Sequence, residues 1–269
     1  MSEINRISSL ISDCYSLVVN TALLTTHRVT LLTNTVLNTM KLKPLIFLIA
    51  LFCSCSQWKY DKISGQKPVE SKEEIDSVLS TLEKLRYSDL SDNYKERTGN
   101  IGVFKKMVED GTFYRIREQD ASKFIVGSIR LGNLLTHDRY HKFDLNRKSY
   151  QQIWLIDKHL LYKLLELKLE LGKKGFDPDG FTVRDGHRHP AHNKLIGGAS
   201  RSQHIAGKAV DIVILDINQD GKENNSDKQI VLDLLDKKVI QERGGIGRYP
   251  GTMVVHFDVR GKKARWDSY

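Results

Sequence analysis

Cysteine is scarce in this chain of 269 residues: Cys14, Cys53 and Cys55 are its 3, and none follows position 55. A disulfide framework is therefore excluded for the part of the chain beyond them, even in a compartment that permits such bonds. The apolar run that starts at Leu45 is also too short to cross a bilayer comfortably, which takes about 20 residues. Basic residues are in excess, with a net charge of +9, but no basic stripe with interleaved aromatics is visible, which argues against nucleic acid as a partner. Arg6, Arg28, Lys41 and Lys43 against Glu3 and Asp13 place +2 of that charge in residues 1–55, leaving +7 for the rest. Such a surface suits an anionic polymer or anionic headgroups.

The N-terminal part has the composition of an address. In residues 40–55, Lys41 and Lys43 precede a short apolar run, and the small Ser54 precedes Cys55, the pattern of a secretory signal that ends in a lipobox. Cys55, with Cys53 as the second choice, is the expected lipidation site, so the mature chain is expected outside the cytoplasm, tethered to a membrane only through its lipid. A signal normally begins at the initiator methionine, which makes Met40 the expected start and residues 1–39 an over-extended gene reading. The other reading is a genuine extension in which Ala22 to Leu37 form a weak membrane segment.

Beyond the signal, polar residues 56–72 with Gly65 and Pro68 read as a tether. Ile75, Val78, Leu79, Leu82 and Leu85 step at helical spacing and predict an amphipathic helix from Glu73 to Arg86. Residues 73–148 form an expected accessory subdomain, mainly helical, with no repeat or chemical motif between Tyr87 and Leu145. Ile153, Ile156, Leu160, Leu164, Leu167 and Leu171 predict a second, longer helix from Tyr150 to Leu171, ended by Gly172 and Gly175. Ala209 to Ile214 and Met253 to Val259 are rich in β-branched residues and predict strands. Helices followed by a group of strands favour an α+β fold with a small antiparallel sheet in residues 149–269.

Those two strands carry the chemistry. Ser202-Gln203-His204-Ile205-Ala206-Gly207-Lys208-Ala209-Val210-Asp211 is followed at a distance by Val255-His256-Phe257-Asp258. A hydrolytic zinc ion takes three protein ligands and keeps one position for water, and His204, Asp211 and His256 supply that number. Alternation along a strand puts Asp211 with Ala209 and Val213, and His256 with Asp258. Gly207 permits the sharp turn that returns His204 beside Asp211.

The pattern Ser-x-His-x-x-Gly-x-Ala-x-Asp with a distant Val-His-x-Asp resembles the zinc D-alanyl-D-alanine metallopeptidases and murein endopeptidases, which share a hedgehog-like fold. Asp185 to Asn193 resembles a further segment of that family. Gly244-Gly245-Ile246-Gly247-Arg248-Tyr249-Pro250 and Arg260-Gly261 through Trp266 resemble its wall-peptidase branch. The resemblance covers residues 149–269 and implies a zinc peptidase acting on peptidoglycan peptides, of carboxypeptidase or endopeptidase type. It implies His204, Asp211 and His256 as zinc ligands and Arg188 as the contact to the peptide's carboxylate or carbonyl. Many relatives carry a Glu or His three residues before the last ligand as general base; here that position is Met253, which cannot move a proton. Asp258 is then either the base or the acceptor that orients a ligand imidazole, and His187, His189 and His192 are further proton carriers unless they are simply exposed.

A second ion site is expected in residues 216–227. Asp216, Asn218, Asp220, Lys222, Asn224 and Asp227, with Gly221 at the sixth position, follow the order of a calcium loop, although Asp stands where Glu is usual. The competing reading is an acidic surface turn without an ion. A competing reading of the whole domain is a catalytically silent peptidoglycan-binding module with a structural metal. The chain is expected to act as a monomer in the cell envelope, in the periplasm and on the outer membrane.

Overall fold

The computed structural model describes residues 66–135 and 151–268. The expected signal, lipidation site and extension all lie outside the described residues, as does most of the expected tether. Val69 is buried and bridges Gly127, so the ordered chain begins before the first helix.

Helix α1 (Lys72–Ser80) starts at a capping box in which the Ser71 hydroxyl accepts from Glu74 N and the Glu74 carboxylate accepts from Ser71 N. It is shorter than its apolar spacing suggests. The hydroxyls of Ser80 and Thr81 bond back to the carbonyls of Ser77 and Val78, and Leu85 instead enters strand β1 (Glu83–Leu85). Short helices α2 (Asp92–Glu96) and α3 (Ile101–Val108) follow, then β2 (Phe113–Arg117), α4 (Glu118–Ala121), and the pair β3 (Phe124–Val126) and β4 (Ile129–Arg130). This region thus contributes strands as well as helices.

Strand β5 (Gln151–Leu155) occupies the start of the long helical pattern. Ile153 faces a sheet because β5 pairs antiparallel with β2, which in turn pairs with β1. The helix itself, α5 (Lys158–Lys173), begins where the Asp157 carboxylate accepts from His159 N. It ends where Gly175, at φ 77°, lets Phe176 N return to Leu171 O.

After α5 come β6 (Phe181–Asp185), α6 (Pro190–Leu195), β7 (Ala209–Ile214), α7 (Asn225–Leu234), β8 (Gly245–Arg248), β9 (Val254–Asp258) and β10 (Ala264–Asp267). The five strands form one sheet in the order β10-β8-β9-β7-β6, antiparallel except for the β10–β8 edge, which is parallel. Its two faces differ in chemistry. Val210, Ile212 and Ile214 of β7, Ile246 of β8, and Val255 and Phe257 of β9 lie in the main core with Leu164, Leu167 and Leu171 of α5 and Val231 and Leu234 of α7. Each such side chain contributes on the order of 1.5–3 kcal/mol by leaving water. The residues between them, Asp211, His256 and Asp258, face the other way.

Candidate metal centre

Alignment of all five strands builds the polar face. Asp185 stands opposite Asp211, Asp211 opposite His256, His256 opposite Gly247 and Gly247 opposite Trp266, so one row runs across the whole sheet. Asp185 reaches that row through a bulge in β6 between Val183 and Asp185, which steps Arg184 out of register. His204 comes from the loop before β7. Gly207 in that loop has φ 66°, and a Cβ there would lie 2.4 Å from Leu155 O. Only glycine meets both conditions.

His204, Asp211 and His256 are 2 %, 4 % and 5 % exposed and offer three atoms that converge. His204 Nε2 is 3.1 Å from His256 Nδ1, His256 Nδ1 is 2.8 Å from Asp211 Oδ1, and His204 Nε2 is 3.2 Å from Asp211 Oδ1. A tetrahedral zinc ion with ligand bonds of about 2.0–2.1 Å separates its donor atoms by roughly 3.3 Å, so the triangle has the right size. Its electronic character fits as well. His204 Nδ1 lies 2.6 Å from Gly186 O, which assigns the proton to that nitrogen and a lone pair to Nε2. His256 Nε2 lies 3.1 Å from Asp258 Oδ2, which likewise leaves the Nδ1 lone pair facing inward. Two lone pairs and a carboxylate oxygen pointed at one another in a buried site call for a cation.

The same contacts shift the acid–base behaviour of the triad. Burial opposes ionisation of Asp211, but His204 and His256 outweigh it and hold its carboxyl far below the usual carboxylate range. Burial also lowers the His256 imidazole, and Asp211 and Asp258 outweigh that effect, leaving its pKa raised.

Surrounding groups hold the ligands. Arg188 donates from Nη2 to Asp211 Oδ2 at 2.5 Å and from Nε to Asp185 Oδ2, leaving Asp211 Oδ1 for the metal. The expected substrate arginine is thus engaged with a ligand carboxylate. Asp258, fully buried, sits on the Nε2 side of His256, away from the converging atoms. It accepts in turn from Gly245 N at 3.0 Å, Arg260 N at 3.1 Å and the Arg260 guanidinium. Burial opposes its ionisation, and His256 and Arg260 keep its pKa well below the ordinary carboxylate value. Such a carboxylate is an orienting acceptor, not a proton carrier.

The Met253 side chain is partly buried against the core. The loop histidines are not exposed carriers either. His187 is buried, with Nδ1 accepting from Leu155 N, and His189 caps α6 and bonds Tyr94 O at 3.2 Å through Nε2.

Three contributors entered the sequence reading only as part of a resemblance, with no role attached. Gly245 and Gly247 leave room: a Cβ on Gly245 would meet Asp258 Oδ2 at 2.2 Å, and one on Gly247 would meet the Trp266 ring at 2.7 Å. Trp266 uses that space to pack against His256, with ring centroids 5.1 Å apart, and the Arg260 guanidinium stands over the indole 5.0 Å from the ring centroid. The Gly-Ile-Gly alternation in β8 was the available signal.

The expected calcium loop is closed by its own amides. Asp216 accepts from Asp220 N and Gly221 N, and Asp227 is buried, accepting from Asn218 N and Asn224 N as the third residue of the α7 capping box. Asn224 caps the same helix through Ser226 N, and Asn218 Oδ1 and Asp220 Oδ1 accept from Asp220 N and Lys222 N. No three of its acidic groups converge, and among the described residues the His204, Asp211 and His256 group alone does so. The motif order encodes a turn and a helix start, not a gathered ligand set.

Two buried imidazoles and a carboxylate on one sheet face, each oriented by a further residue, define a metallohydrolase-type centre. Residues 155–258, less than half of the chain but including His204, Asp211 and His256, match the model of the Peptidase M15 family. No curated protein and no solved structure matches the chain.

Proposed function

We propose that the protein is a zinc peptidase that hydrolyses peptide bonds in the stems or cross-links of peptidoglycan, of D-Ala-D-Ala carboxypeptidase or murein endopeptidase type. The observation that carries this reading is the triangle of three buried donor atoms within a segment of M15 sequence. Zinc, when bound there, polarises a carbonyl and lowers the pKa of its water to about 7. The chain's own residues do the rest. Asp258 and Gly186 fix the two imidazoles, and Arg188 fixes the carboxylate, so the donor set is already in place before a metal arrives.

A silent binding module is favoured only by Met253 at the usual base position. A structural zinc normally takes four protein ligands, and three are gathered here. The proposal extends to export and attachment through a lipid on Cys55 at the outer membrane, facing the periplasm, with peptidoglycan peptides as partner and the chain acting as a monomer. Among the described residues, no helix is long and apolar enough to cross a membrane.

Purified protein incubated with peptidoglycan should release fragments with zinc and none with a chelator, and His204→Ala should lose both zinc and hydrolysis. Fragment masses decide between the two peptidase types. Full hydrolysis by the metal-free variant would remove the proposal.

A further inference from the structure

Met253 leaves open which protein group, other than the metal ligands, meets the reacting peptide. On the ligand face of the sheet, β8 presents Gly245 and Gly247, which carry no side chain. Tyr249 is the next residue in that alternation. The β8–β9 register pairs Gly247 with His256 and ends with Arg248 opposite Val255, and continuing the alternation by one residue past the strand end puts Tyr249 on the same face as Gly247. Its side chain is half-buried. Of the cations at the triad, Arg188 is engaged with Asp185 and Asp211, and Arg260 with Asp258.

We infer that Tyr249 is a catalytic residue whose neutral hydroxyl donates a hydrogen bond to the scissile carbonyl oxygen as that oxygen gains negative charge. The inference rests on the peptidase reading above. In hydrolysis water adds to the carbonyl carbon, the C–N bond breaks and the amine leaves with a proton. Tyr249 keeps its own proton throughout and acts by stabilising charge.

Two further observations support the role. Burial, and then the Asp211 carboxylate, push the Tyr249 hydroxyl above its usual pKa against the opposing pull of Arg188 and Arg184, which favours its protonated, donating form. Its backbone is also held with unusual firmness. Lys228 of α7, itself buried, donates Nζ to Tyr249 O at 2.8 Å and to Thr252 O at 2.7 Å, and Thr252 donates its backbone N–H and its hydroxyl to the same Tyr249 carbonyl. The ammonium thus ties down the turn that carries the tyrosine, which makes Lys228 a positioning residue.

The test uses the full chain loaded with zinc, soluble peptidoglycan fragments as substrate, and a phosphinate analogue of a D-Ala-D-Ala peptide, whose charged oxygens stand where the carbonyl oxygen gains charge. Tyr249→Phe should lower kcat about 100-fold with KM, zinc content and Tm unchanged, and should weaken phosphinate binding. Lys228→Met should lower kcat in the parent but not further in the Tyr249→Phe background. A Tyr249→Phe variant with parental kcat and parental phosphinate affinity overturns the inference. A parent that leaves the fragments intact counts against the peptidase reading, and phosphinate affinity of parent and variant then decides on Tyr249 by itself.

Discussion

Every ligand of the triad has a second atom tied down: His204 Nδ1 by Gly186 O, Asp211 Oδ2 by Arg188 and His256 Nε2 by Asp258. Removing such a partner typically costs 10–100-fold in metal affinity. Arg188→Ala should therefore weaken zinc binding by about that factor, read by competition with a chromophoric chelator, while the three ligands remain. The same contacts set a pH dependence in the chelated protein. Asp211 and Asp258 have depressed pKa values, so their stabilisation is present above the unfolded carboxylate pKa of about 4 and is lost as pH falls below it. His256 has a raised pKa, so its stabilisation is present below the unfolded histidine pKa of about 6.5 and is lost as pH rises through its folded value. The urea midpoint of the chelated protein should fall on both sides. With zinc, the metal replaces the proton, and the decline on the alkaline side should disappear. A chelated midpoint that does not fall as pH rises above the unfolded histidine value of about 6.5 would contradict this account.

At the scale of elements, the site depends on what β8 lacks. Its two inward positions are glycines, and this lets Asp258 and Trp266 approach His256 from either side. In Gly247→Ala the added carbon collides with the indole, a fixed ring and not a flexible end. Overpacking of this kind costs about 1–3 kcal/mol, and it should also displace Trp266 from His256. The expected result is a lower urea midpoint together with weaker zinc binding, whereas Gly251→Ala in the β8–β9 turn, where a Cβ has open space, should change stability through its positive φ alone and leave zinc affinity intact. The strand alternation that separates core from site was legible in β7 and β9, because β-branched residues alternate there with the ligands. The true end of α1 and the true start of α5 were less so. Ile153 and Leu85 continue a helical spacing yet lie in strands, since pairing with β2 satisfies their backbone at a distance the local pattern does not reveal.

At the scale of the molecule, residues 66–135 and 151–154 are part of the support for the metal centre. The compact unit spans Gln66–Tyr269. Ile205, next to ligand His204, packs with Tyr94, Phe104, Val108 and Phe113, and His189 Nε2 bonds Tyr94 O at 3.2 Å. The segment 155–258 expressed alone should show no cooperative urea transition and no stoichiometric zinc. The chain from residue 66 onward should unfold in one transition, with fluorescence and circular dichroism coincident. Separate transitions, or a zinc-binding isolated segment, would show that the two parts stand independently. The identity of the three ligands was open to a reader of the sequence, because a metal demands particular donor atoms and a glycine at a left-handed turn, and those demands fall on single residues a few positions apart. The roles of Arg188, Asp258, Trp266 and the loop of residues 216–227 were decided only by tertiary structure. A carboxylate or guanidinium has the same letter whether it meets a substrate, an ion or a neighbouring side chain. Which of these it meets is set by strand register, a bulge and the space left by two glycines.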